Sequence, residues 1–454
     1  MRRKARRGGG KQIELEIDIL GARGDGVGDH DGKPVFVPMT MPGDRLRVKL
    51  VGERSGGLKA EILELQEQGA GHVDPPCKHF GPCGGCTVQH VSSDFYRRWK
   101  KDLVVQALKR KGFSGGEVAD LIQVDAGTRR RAVFAAAARG KKIDLGFHER
   151  ESHQIVDVKD CKILTSDLGQ ILPPMRELLK ILLGPDQSKA DITVIGASAG
   201  LDVLVVTDAK LTLEGREAIT VFAETNKVAR FAWGRPKSEP EPVAIRDKPI
   251  QLFGDVPVLP PEGAFLQPSQ EGQDILTRLV MDYLPEEAET VADLFSGCGT
   301  FTFPLSKKAH VHAVEGDERA ITALTSASRR NDTDHKITTD CRDLVKDPVT
   351  ADELEGGDCV VLDPPRTGAK EQCYELAQSD IRTIIYVSCN PNTFARDARI
   401  LVESGYSLKE VTPVDQFVWS GHLETVACFE AIGYEDDEGD DGDFENEEQE
   451  DLSQ

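Results

Sequence analysis

The chain has 454 residues, 39% of them hydrophobic, and a formal net charge of −21 at neutral pH. It has no apolar run of the roughly eighteen residues that a membrane-spanning helix needs, and no apolar stretch follows its basic start, MRRKARRGGGK, as a secretory signal would require. The expectation is a cytoplasmic protein of roughly three domains without a membrane partner.

The charge is concentrated at the ends. Residues 435–454, EDDEGDDGDFENEEQEDLSQ, hold twelve acids and no lysine or arginine, whereas the first eleven residues hold six basic side chains. Blocks of like charge repel and bury little apolar surface, so residues 1–10 read as a disordered basic arm and 434–454 as a disordered acidic tail. A basic arm can attract nucleic-acid phosphate without regard to sequence; it can equally be a solubilising tail.

Residues 11–66 read as a small all-β barrel of the OB-like kind. QIELEIDIL alternates Ile13, Leu15 and Ile17 on one face, GARGDGVGDHDGK is a glycine-dense turn region, and PVFVP, RLRVKLV and LKAEILEL are further short strands. Residues 67–265 form a central unit. It opens with PPCKHFGPCGGC, continues through a helical pattern over 91–113 that suits packing on the catalytic half, and then shows strand-like DITVIGA, LDVLVVT and VARFAW in a mostly antiparallel arrangement. TRRRAVF, with Arg129, Arg130 and Arg131, reads as a basic patch suited to phosphate or as a solvated edge strand. GRPKSEPEPVA reads as a loop or exposed excursion.

In residues 266–433 nearly continuous apolar strands alternate with helical stretches, the pattern of an α/β, doubly wound, Rossmann-like parallel sheet. The candidate ligands fall at the ends of those strands. DLFSGCGTF puts Phe295, Gly297, Gly299 and Thr300 after the first, with glycines that let a ligand approach the backbone. HVHAVEG ends the second in Glu315, where an acid can accept from a ribose diol. Asp343 follows the third and suits an adenine amino group. VVLDPPRTG ends the fourth with Asp363 in a loop stiffened by two prolines. This order, without the third glycine of the dinucleotide fingerprint, points to S-adenosylmethionine rather than NAD.

Ten cysteines in a chain with no export signal argue for metal or catalytic use over a disulfide framework. Cys77, Cys83 and Cys86 are spaced C-x5-C-x2-C, and Cys161 is the best fourth ligand. Thiolates suit zinc and iron–sulfur clusters alike; one C-x2-C pair plus a remote cysteine favours the cluster, with zinc as the alternative. Cys389, in YVSCNP, ends an apolar strand on the same rim as Gly297, Glu315 and Asp363. Alone it reads as a packed thiol; on that rim it reads as a nucleophile. Attack of a thiolate on uracil C6 makes C5 nucleophilic toward a sulfonium methyl, and a base must then remove the C5 proton. His422 and Glu424, in GHLETVACFE, are the candidate bases.

FLQ with Gln267, DLFSGCGTF, VEG, DPPR, SCNP and HLETV occur in the order found in the RumA-type RNA (uracil-5-)-methyltransferases, which the chain resembles from Lys11 to about Ile432. The resemblance implies a TRAM barrel at the start and a [4Fe-4S] cluster on Cys77, Cys83, Cys86 and Cys161. It implies Cys389 as nucleophile, Glu424 as general base, and Gln267, Phe295, Glu315 and Asp363 against S-adenosylmethionine, with Asp363 also orienting the base. Thr300 stands where the family often has Asn, Ser269 likewise, and VWSGHLE departs from the usual lead-in. The implied substrate is a uridine of 23S ribosomal RNA, flipped because stacked uracil C6 is inaccessible; with no obligate protein partner evident in the sequence, a monomer is expected. Transfer RNA is the alternative substrate; a non-catalytic RNA-binding iron–sulfur protein is the rival of another class, and a cytosine-5 enzyme is disfavoured because DPPR is not a proline–cysteine motif.

Overall fold

The computed structural model describes residues 10–54, 56–140, 142–184, 188–331 and 337–433. The acidic tail and all but the last residue of the basic arm lie outside them. Among the described residues there are three large sheets and, between the second and third, a two-stranded hairpin of Gln251–Phe253 and Val256–Val258. The first has six strands between Gln12 and Glu67. Ile13, Leu15 and Ile17 alternate inward as expected, with Val35, Val37, Leu46 and Val48 completing a small core. The glycine-dense stretch is not merely a turn. Asp25–His30 is a strand, paired with both Ile19–Leu20 and Lys33–Pro38. A Cβ at Gly26 would lie 2.0 Å from the Thr40 hydroxyl, and one at Gly28 would lie 2.1 Å from the Glu16 carbonyl. Glycine is demanded there by close packing, and its usual association with turns hides the strand.

The central sheet has seven strands, antiparallel except for the Gly200–Thr207 and Val228–Gly234 pair. Helices Leu172–Leu183 and Leu213–Thr225 supply Met175, Leu179, Ile219 and Phe222 to its core. These helices were not read from the sequence. GRPKSEPEPVA is not wholly excursion either, because Glu241–Ile245 adds the edge strand. The arginine run is a pin more than an exposed phosphate patch. Arg130 is buried and donates to the Gln267 carbonyl and the Gln270 and Gln273 side chains, while Arg131 donates to the Ala264 carbonyl at 3.1 Å. Burial lowers Arg130 to about 10. Both guanidiniums hold the start of the third unit.

That third unit is an eight-stranded sheet. Its spatial order is Ile337–Cys341, His310–Glu315, Thr290–Leu294, Cys359–Leu362, Thr383–Ser388, Glu424–Ala431, Tyr406–Asp415 and Ile122–Gln123. The first five are parallel. Glu424–Ala431 lies antiparallel between Thr383–Ser388 and Tyr406–Asp415, so the expected parallel sheet is mixed. Both faces are covered, which explains the unbroken apolar strands. Val360, Leu362, Ile384 and Tyr386 face Phe394 and Leu401, whereas Val361, Ile385 and Val387 face Leu276 and Val280. Strand order reverses between Thr290–Leu294 and Cys359–Leu362, and a ligand crevice opens at the carboxyl ends of such neighbours.

Helix Ser93–Lys109 packs against helix Pro391–Glu403 and adds Val104, Ala107 and Leu108 to the core of the third unit. It carries a charge with it. The ammonium of Lys100, fully buried, donates to Asp415 Oδ1 at 2.8 Å and to the His422 carbonyl. The Tyr96 hydroxyl donates to Asp415 Oδ2 at 2.5 Å and accepts from the Trp419 N–H at 2.9 Å. Burial lowers Lys100, and the Asp415 charge opposes that shift. Removing one member of a buried pair strands the other. Lys100→Met is therefore expected to cost about 3–5 kcal/mol in urea unfolding, and adding Asp415→Asn should recover part of it.

Candidate active site

The rim at the carboxyl ends of the parallel strands collects most of the predicted residues. Phe295 follows Thr290–Leu294 at φ 62°. A left-handed conformation is costly for a bulky residue and is found where the surrounding fold imposes it. Gly297 (φ 56°) and Gly299 (φ 100°) continue the turn. A Cβ on Gly297 would meet nothing within 4 Å, leaving its backbone open to a ligand; one on Gly299 would strike the Phe303 ring at 2.5 Å. The Gly297 N–H donates to Glu315 Oε2 and the Asp317 N–H to Glu315 Oε1, each at 2.8 Å, which fixes the carboxylate across the loop. Thr300 lies half-buried beside Gly299. Asp343, exposed beyond the third strand, is held by Lys346 at 2.5 Å, and that ammonium lowers its carboxyl. A buried acid that the sequence reading passed over, Asp293, sits beneath this loop. It accepts from the Thr302 hydroxyl at 2.5 Å and is raised to about 7, first by burial.

The two loops DPPR and SCNP are built against each other. Asp363 stands at the switch point, its N–H donating to the Leu294 carbonyl at 3.2 Å. SCNP is a strand-to-helix junction. Ser388 ends the strand, Asn390 caps the helix by accepting from the Asn392 N–H, and Pro391 takes the first helical position. Cys389 is the residue between strand and cap, which leaves its thiol half-exposed. The Asn390 amide also donates to the Arg366 carbonyl at 3.0 Å, tying the two loops together.

Glu424 comes from the antiparallel strand beside Thr383–Ser388 and is 3% exposed. Gln267 is equally buried. Its amide nitrogen donates to Asp363 Oδ2 at 3.4 Å while its oxygen accepts from Gln416 at 2.6 Å. Acids thus crowd one pocket. Burial first, then the Glu315 charge, raises Asp363 to about 7. Burial and then Asp363 raise Glu424 well above the carboxylate range. Burial, Glu424 and Asp363 together push the Cys389 thiol up to about 11, and only Arg366 among the named charges opposes them. His422 lies in the loop before Glu424, where its ring accepts from Arg366; packing and that guanidinium lower it to about 4. A neutral His422 bonded to Arg366 belongs to the rim, and the residue buried beside Asp363 is Glu424.

The loop joining Asp415 to Glu424 was legible only at its end. Besides Lys100 and Tyr96, the Thr87 and Val88 N–H groups donate to the Trp419 carbonyl at 2.8 and 3.2 Å, and the Arg129 guanidinium lies 5.6 Å from the centre of the Phe417 ring. Thr87 directly follows Cys86. Cys77, Cys83, Cys86 and Cys161 line one cavity of ≈ 360 Å³, open solvent included. Gly85 N–H bonds Cys83, the Ile163 and Leu164 N–H groups bond Cys161, and Gln89 bonds Cys86. Burial raises all three of these thiols, Cys86 to about 12. Among the described residues, no three His, Cys, Asp or Glu side chains form a group that could hold a single metal ion. All ten cysteines are free of disulfides.

Comparison with known proteins places the chain. Residues 6–63 match the TRAM domain model, 257–383 the methyltransferase small domain, and 350–431 the tRNA (Uracil-5-)-methyltransferase model. An uncharacterized RNA methyltransferase of Rhizobium meliloti is 41% identical over 92% of this chain and 99% of its own. The 23S rRNA (uracil(1939)-C(5))-methyltransferase RlmD of Halomonas elongata is 32% identical over 93% of this chain and 91% of its own. In structure the chain is similar to the Pyrococcus abyssi tRNA (uracil-54, C5)-methyltransferase solved with S-adenosyl-L-homocysteine, with a TM-score of 0.70 at 23% identity, covering 92% of this chain and 100% of that one. The chain belongs to the S-adenosylmethionine-dependent RNA (uracil-5-)-methyltransferases.

Proposed function

We propose that the protein methylates carbon 5 of one uridine in 23S ribosomal RNA, with Cys389 as nucleophile and Glu424 as general base. The observation that carries this reading is the meeting of a half-exposed thiol with two acids of raised proton affinity, Asp363 and Glu424, at adjoining strand ends. Bound S-adenosylmethionine supplies an electrophilic methyl group on a cationic sulfur. Gly297, Gly299 and Thr300 would give it backbone room, Glu315 would accept from its ribose, and Phe295, Gln267, Asp343 and Asp363 would contact the rest. Asp363 also orients the base. Cys389 adds to C6 of a uracil flipped from its stack, C5 takes the methyl group as the S–CH3 bond breaks and leaves a neutral thioether, and Glu424 removes the C5 proton. The C6–S bond then breaks, restoring the C5=C6 double bond and freeing the thiolate. A thiol near 11 and a raised Glu424 both act in their deprotonated forms, so turnover should rise with pH and should not level off before about pH 11.

The large-subunit substrate is supported by the name of the Halomonas elongata relative. Transfer RNA is the second reading, supported by the names of the family model and of the Pyrococcus abyssi enzyme. The four cysteines suit a [4Fe-4S] cluster: four thiols and several N–H donors surround one cavity, and thiolate sulfurs are its usual ligands. A cluster there would brace the segment Cys86–Val88 under the active-site loop, a structural role. No membrane or protein partner enters the reading.

Total RNA from a strain lacking the gene, incubated with methyl-labelled S-adenosylmethionine, should take label into a large-subunit uridine. Label confined to transfer RNA would move the substrate to the second reading. Cys389→Ala should abolish incorporation, and Glu424→Gln should permit methyl transfer but slow turnover by roughly 100-fold or more. Protein purified without oxygen should be brown, and Cys86→Ser should bleach it; a colourless, zinc-containing wild type would contradict the cluster.

A further inference from the structure

Between Glu424 and Asp363 lies a pair of buried amides, and neither the sequence motifs nor the reaction as written above uses the second of them. Gln416, 3% exposed, is the residue after Asp415. Its Nε2 donates to Gln267 Oε1 at 2.6 Å and to Glu424 Oε1 at 3.4 Å. The two protons of one amide nitrogen are thus divided between a neighbouring amide and a carboxylate. Because Gln267 accepts on its oxygen, its own nitrogen is turned toward Asp363 Oδ2, at 3.4 Å. The chain of donors therefore starts at Gln416 and ends on both acids.

Its direction is set from behind. Gln416 Oε1 has no hydrogen-bond partner and lies over the first turn of helix Gln270–Tyr283, where a Cβ on Gly272 would approach it to 2.4 Å. The positive end of a helix favours a carbonyl oxygen and repels an amide N–H. With Oε1 held there, Nε2 points to Glu424. Glycine at 272 is what leaves room for the amide. The backbone of Gln416 is fixed in turn by Asp415, which the buried Lys100 and Tyr96 hold.

Resting on the C5-methylation reading, we propose that Gln416 is a positioning residue for proton removal: its amide N–H aims the Glu424 carboxylate at the C5 proton and favours its ionised form. The groups facing Glu424 are Asp363 and Arg366 from the DPPR turn and Cys389 from the neighbouring strand end. Asp363 opposes ionisation of Glu424, whereas Arg366 and the Gln416 donor favour it. Loss of the donor raises the proton affinity of Glu424, and the base then becomes available only at higher pH. Methyl transfer precedes this step and does not use Glu424 as a base.

The test is a single turnover of the full chain with excess S-adenosylmethionine. The substrate is total RNA carrying 5-tritiated uracil from a strain lacking the gene. Methyl incorporation, tritium release and covalent protein–RNA adduct on a denaturing gel are followed against pH. Gln416→Leu should methylate at close to the wild-type rate and release tritium roughly tenfold more slowly. Its adduct should accumulate, with the rising limb of release displaced to higher pH. Gln416→Glu, which keeps the side chain's shape and puts a carboxylate against Glu424, should show the same pattern. Methylation and release falling together in both variants, with no shift in the limb, would overturn the proposal while leaving the reaction intact. A wild type that releases no tritium, or a Cys389→Ala variant that releases it normally, would overturn the C5-methylation reading and this proposal with it.

Discussion

A lysine with no access to water, Lys100, is the constraint on which the active-site geometry depends. A buried ammonium must have partners, and its partners are Asp415 and the His422 carbonyl, at the two ends of the loop that leads to Glu424. The helix bearing Lys100 comes from the chain just after the cysteine segment, over three hundred positions away from Asp415. The pair therefore decides how the third unit and the preceding segment sit together. It also sets the position of Gln416, which follows Asp415 in sequence, and of the strand that begins at Glu424.

The electrostatics of the pocket follow from burial and from crowding. Asp293, Glu315, Asp363 and Glu424 approach one another at the ends of strands, where few bases offset them. Burial first, and then their mutual repulsion, keep protons on Asp363 and Glu424 to higher pH than free carboxyls, and the same two causes suppress the thiolate of Cys389. A cationic sulfonium is the kind of ligand such a pocket favours, since a positive charge relieves that repulsion. Without it, burial and the neighbouring acids hold the Cys389 thiol toward its protonated form.

Motifs that act through adjacent residues were legible in the sequence. SCNP could be read because strand end, cysteine, cap and first-turn proline are consecutive, and each has its own local reason. The strand-end order of Gly297, Glu315 and Asp363 was legible because a doubly wound sheet brings strand ends to one rim whatever lies between them. Gln416, Lys100 and Asp415 carry no such mark. Their significance lies in contacts across long stretches of chain, and a lysine amid the arginines and lysines of an amphipathic helix looks like solvent-facing charge. Arg130 was misread for the same reason: three consecutive arginines suggest a surface, and burial against Gln267, Gln270 and Gln273 cannot be seen from spacing. The strand at Asp25–His30 was hidden because Gly26 and Gly28 serve packing there. The antiparallel insertion of Glu424–Ala431 was hidden because an apolar run does not state its direction.

The central claim is that Cys389 bonds to carbon 6 of a uracil, and RNA containing 5-fluorouracil tests it most directly. Fluorine at carbon 5 cannot leave as a proton does, so the covalent complex should be trapped after methyl transfer. Digestion and mass analysis of the trapped complex should find the nucleotide, with one added methyl group, on the peptide containing Cys389. An adduct on any other cysteine, or methylated fluorouracil released with no adduct, would contradict the account.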